Sequence, residues 1–87
     1  MILLKQYVAG KTARSLLALT NVKKLTANLP ESTFEIEIID LLQHPELASV
    51  NGIIALPTTV RVDCEPVKKV IGDLSNLEVA RLALDIF

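Results

Sequence analysis

Ile2-Leu3-Leu4-Lys5-Gln6-Tyr7-Val8 is a near-continuous apolar run broken only by Lys5 and Gln6. A strand of this kind has no side fit for water. It must be covered on both faces, so it reads as the central strand of a layered α/β sheet. Everything after it has to supply neighbouring strands and two covering layers.

The rest of the chain meets that requirement in order. Ala9-Gly10-Lys11-Thr12 is a turn, with Gly10 for backbone freedom and Thr12 as a helix N-cap. From Ala13 to Leu29 the pattern is helical, with Ala18, Val22, Leu25 and Leu29 on one stripe and Lys23, Lys24 and Asn28 off it. Pro30-Glu31-Ser32 ends that helix. Phe34-Glu35-Ile36-Glu37-Ile38 then alternates strictly, which predicts a strand with Phe34, Ile36 and Ile38 on one face and a solvated glutamate face. A short helix is expected from Pro45 until Asn51-Gly52 breaks it. Thr58-Thr59-Val60-Arg61-Val62 and Val67-Lys68-Lys69-Val70-Ile71 read as strands joined by the turn Asp63-Cys64-Glu65-Pro66. Ser75-Asn76-Leu77-Glu78 has the form of a capping box, with Leu74 and Val79 placed for a hydrophobic staple. Leu77, Ala80, Leu84 and Phe87 continue it as a helical stripe.

The predicted order is β-α-β-α-β-β-α within one domain, residues 1–87, and this is the thioredoxin plan. In that plan Leu56-Pro57-Thr58 occupies the step before the third strand, where a cis proline faces the first helix. An enzyme built on it needs a thiolate at the start of the first helix, where the helix dipole lowers the thiol pKa. Here those positions read Gly10-Lys11-Thr12-Ala13-Arg14. The one cysteine, Cys64, falls in the predicted hairpin turn, so thiol–disulfide chemistry is not expected. A lone cysteine also excludes an internal disulfide and suits a reducing cytoplasm.

Other chemistries are equally poorly provided for. His44, the sole histidine, precedes a proline at a helix start and reads as a surface or capping residue. Glu35 and Glu37 point the same way along a strand, as paired carboxylates would, but a solvated face explains them. Neither a metal site nor a phosphate-cradling glycine series is present, and no cofactor is expected. Net charge is −1, from nine basic and ten acidic residues, with only three aromatic side chains (Tyr7, Phe34, Phe87). Nucleic-acid binding is therefore disfavoured. Apolar stretches stop short of a membrane span, and the N-terminus lacks the form of a signal peptide. The hydrophobic share of 51% is high for a small domain, and a subunit contact or poor solution behaviour would account for it.

Tyr7-Val8-Ala9-Gly10-Lys11-Thr12, Ile39-Asp40-Leu41-Leu42 with His44-Pro45-Glu46-Leu47-Ala48, Ala55-Leu56-Pro57-Thr58 and Val70-Ile71-Gly72-Asp73-Leu74-Ser75-Asn76 together resemble the KaiB family. The blocks come in the family's order and span nearly the whole chain. The resemblance implies a non-enzymatic circadian-clock or clock-derived protein that binds the KaiC ATPase and competes for it with the SasA kinase. It also implies two folds, a thioredoxin-like bound form and a tetrameric ground state with a repacked C-terminal half. A homodimer or homotetramer is thus expected at rest. Pro57, Gly72, Asp73, Ala83 and Asp85 are the positions assigned to fold choice, and Tyr7, Lys11, Glu35, Glu37, Lys68 and Lys69 to partner binding, around an exposed edge.

Departures from the family pattern leave the partner open. Ala83 stands where members commonly carry glycine, which favours helix and thereby the thioredoxin-like form. Glu35 and Glu37 replace a surface that tends to offer lysine, the proline-rich turn shrinks to Glu65-Pro66, and no acidic tail follows Phe87. A paralogue in stress response with another partner is one alternative. A sensor domain cut from a SasA-type kinase is another, disfavoured by the initial Met and the absence of a linker. A degenerate glutaredoxin-like or peroxidase-like protein using Cys64 is a third.

Overall fold

A computed structural model describes residues 1–53 and 55–86. Among these residues, four strands and three helices follow one another as β1 (Ile2–Val8), α1 (Ala13–Thr26), β2 (Phe34–Asp40), α2 (Glu46–Val50), β3 (Thr58–Arg61), β4 (Lys68–Ile71) and α3 (Leu77–Leu84), with one 3-10 turn at Glu31–Thr33. The sheet order is β2-β1-β3-β4. β1 runs parallel to β2, and β3 runs antiparallel to both β1 and β4. The apolar run Ile2–Val8 is therefore interior, as its composition requires.

Alternation along β1 divides the core in two. Leu4 joins Val22 and Leu25 of α1, Ala80 and Leu84 of α3, and Leu74 and Ile86 in one cluster. Tyr7, on the opposite face, packs with Ile39, Leu41, Ile53 and Val60, with Leu47 and Ala48 of α2 against them. α2 has only five residues, so it shields one end of its face and leaves the rest of that face open. Gln6 lies under α1, fully buried, and its Nε2 donates to the Ala18 carbonyl at 3.0 Å and to Thr59 Oγ1 at 3.1 Å.

Several expectations need correction at their edges. α1 ends at Thr26, not Leu29, although Leu29 still packs on the cluster beneath it. Ile38 does not share the shelter of Phe34 and Ile36. β2 is an edge strand, and Ile38 is 46% exposed. The glutamate face of β2 is not wholly solvated either, because Ile39 lies on it and α2 covers Ile39. Phe87, expected to complete the stripe of α3, lies outside the described residues.

The start of α3 also differs. Asn76, not Ser75, is the N-cap, and its side chain accepts from the Val79 amide at 3.2 Å. The Ser75 amide instead donates to Asp73 Oδ1 at 3.0 Å. That shift by one residue removes the staple: Val79 is exposed, while Leu74 turns into the core with φ 63°. A left-handed non-glycine residue costs roughly 1–2 kcal/mol. Full burial of a leucine side chain returns about 1.5–3 kcal/mol, so burial wins and the strained turn persists.

Candidate partner-binding surface

Functional groups can be placed from the antiparallel β1–β3 register. Tyr7 stands opposite Thr58, so the end of β1, the start of α1 and the start of β3 share one end of the sheet. Thr12 Oγ1 caps α1 by accepting from the Ser15 amide at 3.3 Å. Ser15 is buried, and its Oγ accepts from the Ala9 amide at 3.1 Å. Pro57 is buried at this same end, its peptide with Leu56 is cis as expected, and its carbonyl accepts from the Gly72 amide at 2.8 Å. The Glu65–Pro66 peptide is cis too, which the sequence did not suggest.

Cys64 lies at the other end. It follows β3, beside the start of β1, where the neighbouring Asp63 carboxylate accepts from the Leu3 amide at 2.9 Å. The thiol is half-buried and faces the Arg61 carbonyl at 3.7 Å. No thiol therefore approaches the α1 N-terminus, where a thiolate would gain from the helix dipole. Among the described residues, no group of three or more His, Cys, Asp or Glu side chains could hold a metal ion. Among the same residues, no helix is long and apolar enough to cross a membrane.

The six positions assigned to partner binding do not form one patch. Tyr7 is not at an exposed edge: β2 and β3 flank its strand and α2 covers it, leaving it 2% exposed. Burial, with the Glu37 carboxylate as a lesser cause, raises its phenol pKa above the ordinary value. Lys11 is exposed in the turn before α1. Glu35 and Glu37 project from edge strand β2 on the open face, beside Leu3 and Lys5 respectively. Lys5 Nζ lies 3.9 Å from Glu37 Oε1, a loose and largely solvated contact. Lys69 is on this face as well, in register with Val60 and Lys5. Three strand spacings, roughly 14 Å, separate its row position from Glu37. Lys68 points to the other face and pairs with Asp85 Oδ2 at 3.5 Å.

Two grooves flank β2. One, of ≈ 350 Å³, is lined by Leu3, Lys5, Glu35, Glu37 and Val62. The second, of ≈ 400 Å³, lies towards α2 and shares Lys5 and Glu37 with the first. The short α2 helix thus leaves a trough with an acidic outer wall and a lysine in its floor.

Of the positions assigned to fold choice, Gly72, Asp73, Ala83 and Asp85 lie in or next to α3, while Pro57 lies at the α1 end of the sheet and meets Gly72 through its carbonyl. Gly72 adopts φ 113°, which a side chain rarely allows. Asp73 accepts from Ser75, and the Ser75 hydroxyl and amide hold its carboxyl below the ordinary range. Ala83 is on the exposed side of α3. Asp85 ends α3 in the left-handed conformation, φ 54°.

Sequence reasoning missed the side chain that positions Lys11. Asp40 Oδ1 accepts from both the Gly10 amide at 3.0 Å and the Leu42 amide at 2.9 Å, pinning the Lys11 turn to the end of β2. The bond to Leu42, two residues on, is an Asx-turn, and an aspartate as the last residue of a strand is its one local signal. The bond to Gly10 has no local signal.

Comparison with known proteins agrees with this geometry. The family model described as KaiB domain matches residues 5–86. The circadian clock oscillator protein KaiB of Prochlorococcus marinus subsp. pastoris is 38% identical over 84 residues, covering 97% of this chain and 78% of that protein. Its namesake in a Picosynechococcus species is 41% identical over 83 residues, covering 95% and 80%. Among solved structures, the N-terminal domain of Synechococcus elongatus SasA superposes with a TM-score of 0.75 at 17% identity, covering 93% of this chain and 77% of that one. Chloroplastic thioredoxin z gives 0.76 at 19% identity, covering 99% and 78%. At such identities the structures speak for the fold alone, which is thioredoxin-like. The family match across residues 5–86 and the identity to its clock proteins decide the affiliation: this chain belongs to the KaiB family.

Proposed function

We propose that this chain is a non-catalytic regulator in a circadian-clock or clock-derived system, which docks on a KaiC-type ATPase and competes there with a SasA-type kinase. The observation that carries this reading is a thioredoxin-like scaffold whose α1 N-terminus is closed by Thr12 and holds no thiol, with Cys64 at the opposite end of the sheet. Such a scaffold grips a partner without redox turnover. Competition rests on a shared fold with the SasA domain. Docking is assigned to the Lys11 turn, which Asp40 pins to the end of β2, and to the β2 trough with Glu35 and Glu37. The resting state is a homodimer or homotetramer with a repacked C-terminal half, and the work is done in the cytoplasm without a cofactor, nucleic acid or membrane.

The test is size-exclusion chromatography of the chain alone and with a nucleotide-loaded KaiC-type ATPase. Co-elution, lost on addition of a SasA-type sensor domain, supports the proposal. No shift under any nucleotide condition rejects the ATPase as partner. That outcome would favour a stress-response paralogue, a reading for which the acidic β2 surface is the specific ground.

A further inference from the structure

Arg61 and Asp63 hold both ends of the described chain at once. The Arg61 guanidinium grips Asp63 with two bonds, Nε to Oδ1 at 3.0 Å and Nη2 to Oδ2 at 3.1 Å. Its remaining nitrogen, Nη1, donates to the Leu84 carbonyl at 2.9 Å and the Asp85 carbonyl at 2.7 Å. Asp63 Oδ1 meanwhile accepts from the Leu3 amide at 2.9 Å. The two side chains are 16% and 18% exposed, yet the bonds between them and those to the Leu3 amide and the Asp85 carbonyl lie at the surface, so the grip rests on its two-bond, charge-assisted geometry and not on exclusion of water.

The carbonyls at the end of α3 make the dependence clear. Asp85 is left-handed, and the turn closes with the Ile86 amide on the Arg81 carbonyl at 3.0 Å and the Asp85 amide on the Leu82 carbonyl at 3.3 Å. Neither internal bond serves the carbonyls of Leu84 and Asp85. Arg61 supplies both, so a strained, non-glycine helix end is held by a side chain from β3. That side chain is in turn oriented by a carboxylate which also fixes the start of β1.

We propose that the Arg61–Asp63 pair is a latch that makes the start of β1 and the C-terminal end of α3 open together as one unit, apart from global unfolding. Opening would uncover the Leu4, Leu25, Leu84 and Ile86 cluster while the centre of the sheet stays closed. The Lys68–Asp85 contact is an outer, mostly solvated tether and does not set this coupling.

Amide hydrogen exchange read by NMR tests the latch. Asp63→Asn touches no atom of α3, yet it should speed exchange at Asp85 and Ile86 at least tenfold, together with Leu3. Arg61→Met should do the same, and the double variant no more than either single one. Amides of Gln6 and Thr59 should change less than twofold, as should all sites in Lys68→Ala. The wild-type chain gives an independent readout: in low guanidinium, Leu3 and Ile86 should follow one opening isotherm lying below that of Gln6. A uniform acceleration, an effect of Asp63→Asn confined to Leu3, or separate isotherms for the two chain ends would overturn the proposal.

Discussion

Asn21 Nδ2 donates to the carbonyl of Asp73 at 2.8 Å, joining the middle of α1 to the turn that launches α3. Asn21 is only 6% exposed, so the bond is shielded and fixes the loop in which Leu74 is strained. Loss of the amide leaves a carbonyl with no replacement donor, at a cost of about 1–3 kcal/mol. Asn21→Ala is therefore expected to lower the unfolding free energy by that amount, read as a lower urea midpoint at unchanged slope. A stability equal to wild type would mean that water replaces the bond fully.

Acid should weaken the protein in a defined window. The Arg61 hydrogen bond, opposed by burial and helped by the Leu3 amide, lowers the Asp63 carboxyl from 3.8 to about 2. A folded value below the unfolded one gives stability that is present above 3.8 and lost as pH falls through 2. Asp63→Asn should flatten the dependence of unfolding free energy on pH across that interval. Urea titrations from neutral to strongly acidic pH check this, and an unaltered slope in the variant assigns the acid sensitivity elsewhere.

Reversing the charge of the trough should impair docking. Glu35→Lys with Glu37→Lys converts the acidic wall of β2 to a basic one while leaving the β1–β2 backbone pairing untouched. Affinity for the KaiC-type ATPase is expected to fall at least tenfold, about 1.4 kcal/mol, with an altered salt dependence. Binding by titration calorimetry at two salt concentrations reads it. Undiminished affinity would remove β2 from the docking face.

Ala83 is exposed on α3, so Ala83→Gly changes helix propensity with no packing term. The expected loss is about 1 kcal/mol in favour of non-helical states, a factor of about five in any two-fold equilibrium. Carbon secondary shifts should show helix across Leu77–Leu84 in the wild type and a larger non-helical population in the variant. Strand shifts beyond Leu82 in the wild type would contradict a preference for the thioredoxin-like form.

Removal of the thiol should cost the proposed activity nothing. Cys64 Sγ makes one weak contact, to the Arg61 carbonyl. Cys64→Ser is expected to bind the ATPase as wild type does, and neither protein should reduce insulin disulfides. Reduction by the wild type that disappears in Cys64→Ser would make the chain an oxidoreductase.

The amino-acid sequence by itself determined the elements and the chemistry at the start of α1. The apolar run Ile2–Val8, the Thr12 cap and the alternation after Phe34 act within a few residues, and each survived folding with only its margins moved. Tertiary structure alone decided which charges share a face. Lys69 reaches the Glu37 side only through the β1–β3 and β3–β4 registers, and Tyr7 is buried because a short helix from residue 46 onward covers it. Arg61 finds the end of α3, and Asn21 the Asp73 carbonyl, across 23 and 52 residues of chain. Contacts at such separation are set by strand pairing and helix crossing, which local periodicity does not encode.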